Sequence, residues 1–360
     1  MTNYELRNSA LAADKKRIGI VGVSGYGGGE LARLLSSHPY AELTYVTSGT
    51  YEGKPLAAAL PGIAGRTSLI CERFNVTAAI DRCDVVFLAG EAGLAMEHAP
   101  ALLAAGKKVI DLSADFRLKD PAEYKVWYKR EHTATALLPD AVYGLPELFS
   151  KEIRQASLIA NPGCYVTSAT LALAPLLAAK KIDPDTIIID SHSGVSGAGR
   201  SKFGLDYHFS EINESIKAYG VGGTHRHTPE IEQNLAAVTG SNIRITFTPH
   251  LSPITRGILT TAYAKLTADS AGLTNLFREY YADAPFVVVL DEGQYPATKW
   301  TQGTNYCYLG VGVDSRTGRV IVISAIDNLV KGAAGQAIQN MNLVCGWDET
   351  AGLTMPAMWP

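Results

Sequence analysis

The segment at residues 17–39, RIGIVGVSGYGGGELARLLSSHP, constrains the fold of this 360-residue chain more than any other. A short run rich in β-branched residues, 17–23, precedes a glycine-rich turn, and apolar residues with helical spacing follow over 30–35. Glycines let the backbone approach a pyrophosphate, and the amides at a helix start attract an anion. The glycines are spaced G-x-x-G-x-x-G, so a tight turn that only joins strand to helix is the alternative.

Strand and helix patterns alternate after this segment. Further strands are predicted at 41–48, 84–90 and 107–113, and a helix is predicted at 94–105. This alternation indicates a parallel sheet with helices on both faces. We therefore predict a Rossmann-type doubly wound α/β domain at the start of the chain.

The pattern changes near residue 164. One helix is predicted over 167–180, and strand-like segments follow it at 186–193, 243–249, 257–267, 285–290, 307–314 and 319–326. Many strands with few helices indicate a mostly antiparallel α+β domain. We predict an NADP-binding domain over 1–163 and a substrate and dimerisation domain over 164–327. The C-terminal helical stretch, 328–360, is expected to complete the first domain.

Composition excludes several classes of protein. The chain is 47% hydrophobic with a net charge of -3, which suits a packed core and gives no basic field for nucleic acid. No apolar run reaches the roughly 18 residues of a membrane span. Residues 1–16 lack the apolar centre of a signal peptide and are expected to form a short leader. Five widely spaced cysteines predict no disulfide framework and a reducing cytoplasm.

The end of the second strand bears on the choice of cofactor. Sites that prefer NAD place an acidic residue about 20 residues past the glycine loop, where it holds the ribose hydroxyls. Here the strand ends in TSGT, residues 47–50, with no acid. This favours NADP. The residues expected to bind it in this region are Gly22, Ser24, Gly25, Tyr26, Gly27, Gly28, Ser48 and Thr50.

Cys164 has an unusual setting in the segment LIANPGCYVT. Asn-Pro-Gly forms a turn, and the predicted helix starts directly after it. A thiol at a helix N-terminus faces the positive end of the helix dipole, which stabilises the nucleophilic thiolate. The alternative is a cysteine that only fills a small gap in a loop.

A candidate base lies in GVGGTHRHTPEIEQ, at 220–233. His225 and His227 stand on a glycine-rich loop before a predicted helix start, where a ring could reach a cleft. The pair could also bind a metal ion, because H-x-H is a ligand spacing. No third ligand follows at a suitable distance in the sequence, so no metal is expected.

Two arginines could bind an anion. Ser113 and Arg117 follow the strand at 107–112, at the edge of a parallel sheet where ligands bind, and Arg200 lies in SGVSGAGR. A guanidinium matches the geometry of phosphate or carboxylate. A lone arginine is otherwise a surface residue.

Six motifs in order, VSGYGGGE, DLSADFR, NPGCY, SGVSGAGR, THRHTPEIEQ and HLSPITRG, resemble those of the N-acetyl-gamma-glutamyl-phosphate reductase family of arginine biosynthesis. The resemblance covers about 18 to 340. It implies a Rossmann domain and an α+β domain, NADPH, a catalytic cysteine at Cys164 and a catalytic histidine in THRH, for which His225 is favoured. It also implies an acyl-phosphate substrate and a cysteine thioester. We further expect a homo-oligomer, either a dimer or a tetramer.

The resemblance also suggests binding residues outside the glycine loop. Those expected near the nicotinamide end are Gly194, Ser196, Gly197 and Asn328, and those expected at the substrate are Ser113, Arg117, Arg200, His227 and Glu230.

Three alternatives remain open. Aspartate-semialdehyde dehydrogenase would use the same chemistry, but its Gly-His step on a late strand has no counterpart in PITRGIL. The second alternative is a lysine-pathway reductase acting on carrier-linked aminoadipyl phosphate. The third is a non-catalytic NADP-binding sensor, which the presence of the cysteine, the histidines and both arginines disfavours.

Overall fold

The computed structural model describes residues 15–202 and 204–358, so residues 1–14 of the expected leader lie outside the described residues. The described helices are α1 (Tyr26–Leu35), α2 (Leu56–Ala59), α3 (Val76–Arg82), α4 (Leu94–Ala104), α5 (Pro121–Tyr128), α6 (Pro146–Gln155), α7 (Cys164–Ala178), α8 (Phe209–Ile212), α9 (Thr228–Thr239), α10 (Leu273–Tyr280) and α11 (Gly335–Val344). Among these, none has the length and apolar character needed to cross a lipid bilayer.

The described strands are β1 (Lys16–Val21), β2 (Ala41–Thr47), β3 (Val85–Leu88), β4 (Lys108–Asp111), β5 (Val142–Tyr143), β6 (Leu158–Ala160), β7 (Ile182–Gly194), β8 (Lys217–Ala218), β9 (Thr246–Ser252), β10 (Ile258–Leu266), β11 (Val287–Val289), β12 (Cys307–Asp314) and β13 (Arg319–Ile326).

The chain forms two compact units. The first contains the residues up to Lys119 together with Glu131–Asn161 and Ala337–Thr354, and the second contains Asp120–Arg130, Pro162–Gln336 and the residues from Met355. The division therefore differs from the expected boundaries in three places, the first being that the main part of the second unit begins at Pro162 rather than at residue 164. Helix α5 belongs to the second unit, and the C-terminal stretch joins the first unit only from Ala337 to Thr354.

The first unit is built on a six-stranded sheet in the order β2-β1-β3-β4-β6-β5. Every neighbouring pair in it is parallel, which confirms the parallel sheet predicted from the alternation of strands and helices. The carboxyl ends of parallel strands meet at one edge of a sheet, where ligands of such folds bind. The glycine loop after β1, Ser48 after β2 and Ser113 after β4 all follow strands at this edge.

Helix α1 begins at Tyr26, four residues before the predicted start at residue 30. The prediction missed this turn because the run Gly27–Gly29 has low helix propensity and no apolar periodicity. Close packing favours glycine here instead. A Cβ atom on Gly28 would collide with the carbonyl oxygen of Gly22, so the loop and the helix start lie in direct backbone contact.

The second unit contains a seven-stranded sheet in the order β11-β12-β13-β10-β7-β9-β8. Four neighbouring pairs are antiparallel and two, β7 with β9 and β11 with β12, are parallel. Helix α7 packs on this sheet, and the Ser168 hydroxyl lies 2.9 Å from Thr260 Oγ1 and 3.0 Å from Ser324 Oγ. These contacts fix a helix that starts at Cys164, directly after the Asn-Pro-Gly turn as predicted.

The C-terminal stretch from residue 328 is predicted to be helical. The structure instead shows a π turn at Val330–Ala334 before α11. In this turn the Gly332 N–H donates to the Asp327 carbonyl oxygen at 2.9 Å, a bond to the fifth preceding residue. Such π turns are rare and occur frequently at functional sites.

Candidate active site

Cys164 is the first residue of α7, and a buried carboxylate fixes the turn before it. The Gly163 N–H donates to Oε1 of Glu230 at 2.9 Å, and Glu230 lies fully buried in the first turn of α9. The N-cap residue Gly163 has no side chain, so the amides of the first helical turn face no capping group of their own. Glu230 was expected to bind substrate. In the structure its carboxylate instead accepts a hydrogen bond from the turn before Cys164.

His227 lies directly against the turn that carries Cys164. A Cβ atom built on Gly163 would stand 2.5 Å from Nε2 of His227, so the imidazole occupies the space that a side chain at residue 163 would need. This contact explains why the residue before Cys164 is glycine. The His227 backbone N–H donates to Nδ1 of His225 at 3.2 Å, which links the two histidines.

His225 lies in an aromatic enclosure. Its ring centroid is 5.6 Å from that of Tyr165, 5.4 Å from that of Tyr219 and 5.4 Å from that of Phe247. Burial first, and the Arg226 charge second, lower the pKa of His225 to about 4. The imidazole is therefore neutral at pH 7. Burial favours the neutral ring because little water remains to solvate its charge.

Two tyrosines extend the site beyond the predicted residues. The hydroxyls of Tyr165 and Tyr219 are 2.9 Å apart, and the Tyr165 hydroxyl also donates to the His250 carbonyl oxygen at 3.3 Å. Burial raises the pKa of both phenols, that of Tyr219 to about 12, so both are neutral at pH 7. Neither tyrosine was predicted from the sequence, although Tyr165 directly follows Cys164.

The π turn contacts the cysteine from another side. A Cβ atom on Gly332 would stand 2.8 Å from the Cβ of Cys164, so only glycine fits there without displacement. The Asp327 carboxylate fixes the turn by accepting from the backbone N–H of Leu329 and of Gly303, at 2.8 and 2.7 Å, and by pairing with Arg256 at 3.3 Å. Gly332 was not predicted from the sequence, because no local pattern marks a glycine that packs against a cysteine far away in the chain.

We expect Gly332→Ala to lower kcat by roughly 10- to 100-fold, because the added Cβ atom would displace Cys164. A displacement of about 1 Å of a reacting group can reduce the rate by that factor. Cofactor binding to the first unit should not change. Gly204→Ala is the matched control, because a Cβ atom there meets nothing within 4 Å. Steady-state kinetics of both variants measure the effect, and wild-type kcat in Gly332→Ala would contradict it.

The expected nicotinamide-end residues are joined by hydrogen bonds in the second unit. The Asn328 amide donates to Ser196 Oγ at 2.9 Å and its Oδ1 accepts from the Gly257 N–H at 2.7 Å. A Cβ atom on Gly194 would stand 2.7 Å from the Thr255 carbonyl oxygen, and one on Gly197 would stand 3.7 Å from Asn328 Nδ2. The loop at Gly194–Gly197 is therefore fixed against the segments that contain Thr255 and Asn328. The same loop carries Arg200, which is half-buried.

The glycine loop of the first unit fits a nicotinamide dinucleotide. Helix α1 starts after Gly25 without a side-chain cap, and its first turn begins with Tyr26, Gly27 and Gly28. Amides in such a turn bind a pyrophosphate. The Ser48 hydroxyl donates to Ser24 Oγ at 2.8 Å, which joins the end of β2 to the loop.

Arg117 is tightly held in the first unit and is only 9% exposed, so it is not a free surface residue. Its Nε donates to the Asn161 carbonyl oxygen at 2.8 Å and its Nη2 donates to the Leu112 carbonyl oxygen at 2.9 Å. Nearby, the Ser113 N–H donates to Oδ1 of the fully buried Asp111 at 2.7 Å. Burial raises the pKa of Asp111 to about 7.

Two family descriptions and several relatives match this chain. Residues 17–156 match the NAD binding domain of semialdehyde dehydrogenases, and residues 164–328 match their dimerisation domain. The N-acetyl-gamma-glutamyl-phosphate reductase of Pelotomaculum thermopropionicum is 54% identical over 346 residues, which are 96% of this chain and 99% of that protein. The protein of the same name from Desulfotalea psychrophila is 53% identical with the same coverage.

The chain belongs to the N-acetyl-gamma-glutamyl-phosphate reductase family. As a member of that family it is an oxidoreductase with a nicotinamide-dinucleotide-binding domain and a dimerisation domain. These findings confirm the predicted fold class and family.

Solved structures share the fold at low sequence identity. Aspartate semialdehyde dehydrogenase II from Vibrio cholerae matches with a TM-score of 0.71 at 18% identity, over 92% of this chain and 99% of that one. The aspartate semialdehyde dehydrogenase with NADP from Candida albicans matches with a TM-score of 0.68 at 17% identity, over 92% and 99%. The N-acetyl-gamma-glutamyl-phosphate reductases are far more similar in sequence, so the alternative functions are not favoured.

Proposed function

We propose that this enzyme catalyses the NADPH-dependent reductive dephosphorylation of N-acetyl-gamma-glutamyl phosphate to N-acetylglutamate 5-semialdehyde, in arginine biosynthesis. The observation that carries the proposal is the near-full-length similarity to reductases of that name at more than half identity. Cys164, at the start of a buried helix, supplies the nucleophile that such a reaction needs.

The reaction proceeds through a covalent bond to Cys164. Its thiolate attacks the acyl carbonyl carbon, the carbon–oxygen bond to phosphate breaks, and a thioester forms as phosphate leaves. When bound, the nicotinamide cofactor supplies the hydride that reduces this thioester. The oxyanion that forms on the substrate takes up a proton to give the thiohemiacetal. Removal of that hydroxyl proton, with cleavage of the carbon–sulfur bond, then releases the aldehyde and regenerates the Cys164 thiolate. Amides of the first turn of α7 stabilise the negative oxygen that develops on the carbonyl.

A histidine beside Cys164 moves the protons. We favour His227, because its ring lies against Gly163, next to the nucleophile. His225 then acts as its positioning residue, since its Nδ1 accepts the His227 N–H and its low pKa makes it a weak base. The sequence favoured the opposite assignment, and His225 remains the alternative base.

Arginine and serine side chains bind the anionic groups of the substrate. We assign phosphate and carboxylate recognition to Arg117 and Arg200, with Ser113 and Glu230 as further substrate residues. The fixed guanidinium of Arg117 supports this assignment, because a held arginine loses little side-chain entropy on binding.

The cofactor is NADP rather than NAD in this proposal. The absence of an acid at the end of β2 supports it, because no carboxylate there repels a 2′-phosphate. Ser48 and the exposed Thr50 follow the end of β2, where an NAD site would have its acidic residue. Together with the glycine loop and Ser24, they would hold the adenosine and pyrophosphate parts, and Asn328 and the Gly194–Gly197 loop would hold the nicotinamide end.

The enzyme is further proposed to form a homo-oligomer, a dimer or tetramer, in the cytoplasm. The match of residues 164–328 to a dimerisation domain supports assembly. None of the five cysteines, all of which lie within the described residues, forms a disulfide, which supports a reducing compartment.

The decisive experiment is the reverse reaction with the purified enzyme. We expect phosphate-dependent oxidation of N-acetylglutamate semialdehyde with NADP, at a kcat/KM more than about 100-fold above that for aspartate semialdehyde. NAD should be the poorer cofactor. Comparable rates with aspartate semialdehyde would refute the substrate, and equal rates with NAD would refute the cofactor preference.

A further inference from the structure

Three side chains with metal-binding atoms lie together on the second unit's sheet, outside the residues assigned to the reaction. Asp190 and His192 alternate along β7, so they point to the same face of the sheet. His250 on the adjacent parallel strand β9 pairs with His192 in register. The pairing of β7 with β9 therefore brings two imidazoles and one carboxylate together from distant parts of the chain. The separation is about that between His192 and Ser252 at the end of β9, which is 60 residues.

The distances match those of a metal site. Oδ1 of Asp190 is 3.1 Å from Nδ1 of His250 and 3.4 Å from Nε2 of His192. A tetrahedral zinc ion with bonds of about 2.0–2.1 Å places neighbouring ligand atoms roughly 3.3 Å apart. One ligand atom from each of the three residues lies within 4.8 Å of the others.

Hydrogen bonding alone does not account for the arrangement. Oδ1 of Asp190 and Nδ1 of His250 are shielded from solvent, yet neither makes a well-formed hydrogen bond to any residue that the structure describes. The imidazole rings of His192 and His250 stack 4.6 Å apart at 11°, which brings two groups that can each become positive into contact. A cation bound between the three residues would satisfy both shielded atoms.

The second ring nitrogen of His192 also has a partner. Its Nδ1 lies 3.3 Å from Ser252 Oγ, which orients the ring with Nε2 toward Asp190. Metal-binding histidines usually have such a partner on the nitrogen that does not bind the metal.

The geometry points to a divalent transition-metal site formed by Asp190, His192 and His250, with Zn²⁺ as the best-matched ion. Two imidazoles and a carboxylate form a donor set that zinc prefers, and a water molecule would complete the tetrahedron. The side chains of Asp190, His192 and His250 are 39%, 39% and 20% exposed in the single chain. The sequence predicted no metal site, and this inference departs from that expectation because strand pairing brings together residues that lie far apart in the chain. The inference does not depend on the proposed reaction.

The test measures retained zinc in the full chain carrying Cys164→Ser, which removes the active-site thiol as a ligand. The protein is dialysed against Zn²⁺ and then against zinc-free buffer, and zinc per chain is determined by elemental mass spectrometry. We expect about one ion per chain, and a Zn²⁺-dependent rise of the unfolding midpoint by a few degrees, about 3–5 °C.

His250→Gln and His192→Gln, each in the same background, should lose the ion and the rise in the midpoint. His208→Gln, an exposed histidine of the same unit, is the matched control and should retain both. If His250→Gln fails to fold, as circular dichroism would show, His192→Gln decides the outcome. No retained zinc in the parent, or equal retention in His192→Gln, would overturn the inference whether or not the enzyme has reductase activity.

Discussion

We expect Cys164→Ser to lower reductase turnover by more than about 10⁴-fold, because a serine hydroxyl is not ionised at neutral pH and cannot replace the thiolate. Binding of the nicotinamide cofactor should not change, since the glycine loop belongs to the other unit. Steady-state assays and cofactor titration measure the two quantities. Cys345→Ser is the control and should retain wild-type turnover.

Alkylation tests the same residue by an independent route. Burial raises the pKa of Cys83 and of Cys345 to about 11, and it also raises that of Cys71, so these thiols should react slowly with iodoacetamide at pH 7. Brief labelling followed by peptide mass mapping should therefore find Cys164 modified first, and substrate should protect it. Modification that starts at another cysteine would remove Cys164 from the mechanism.

The second large effect concerns the histidine pair. We expect His227→Asn to lower kcat by roughly 10²- to 10⁴-fold, the usual contribution of a general acid or base. His225→Asn should lower it less, because asparagine can still accept the His227 N–H through its side-chain oxygen. The two kcat values decide between the assignments, and a larger loss in His225→Asn would restore His225 as the base.

The pH dependence of the free energy of unfolding tests the lowered pKa of His225. Its folded pKa of about 4 lies below the unfolded value of 6.5, so the unfolded state binds more protons between these values. This residue's contribution to stability is therefore complete above pH 6.5 and is lost as the pH falls toward 4. Urea unfolding of wild type and His225→Asn across this range should show a steeper acid loss in the wild type, and equal slopes would contradict the shift.

The sequence predicted what depends on local pattern. Alternating strands and helices predicted the parallel sheet, and Asn-Pro-Gly before an apolar run predicted a cysteine near a helix start. Helix α1 and the π turn were mispredicted because glycines and small residues carry no periodic signal. The contacts of Gly332 with Cys164 and of His227 with Gly163 also could not be predicted, because each joins residues far apart in the chain.

The bond between Glu230 and the Gly163 N–H has a consequence for how the enzyme matures. It joins residues 67 positions apart, so it closes a long loop and forms only after that loop has been ordered. During synthesis, Cys164 leaves the ribosome well before Glu230. Until α9 docks, the turn before Cys164 lacks the Glu230 carboxylate that fixes it. The nucleophile therefore reaches its final geometry late in folding, and a nascent or truncated chain that ends before residue 230 carries a less ordered cysteine.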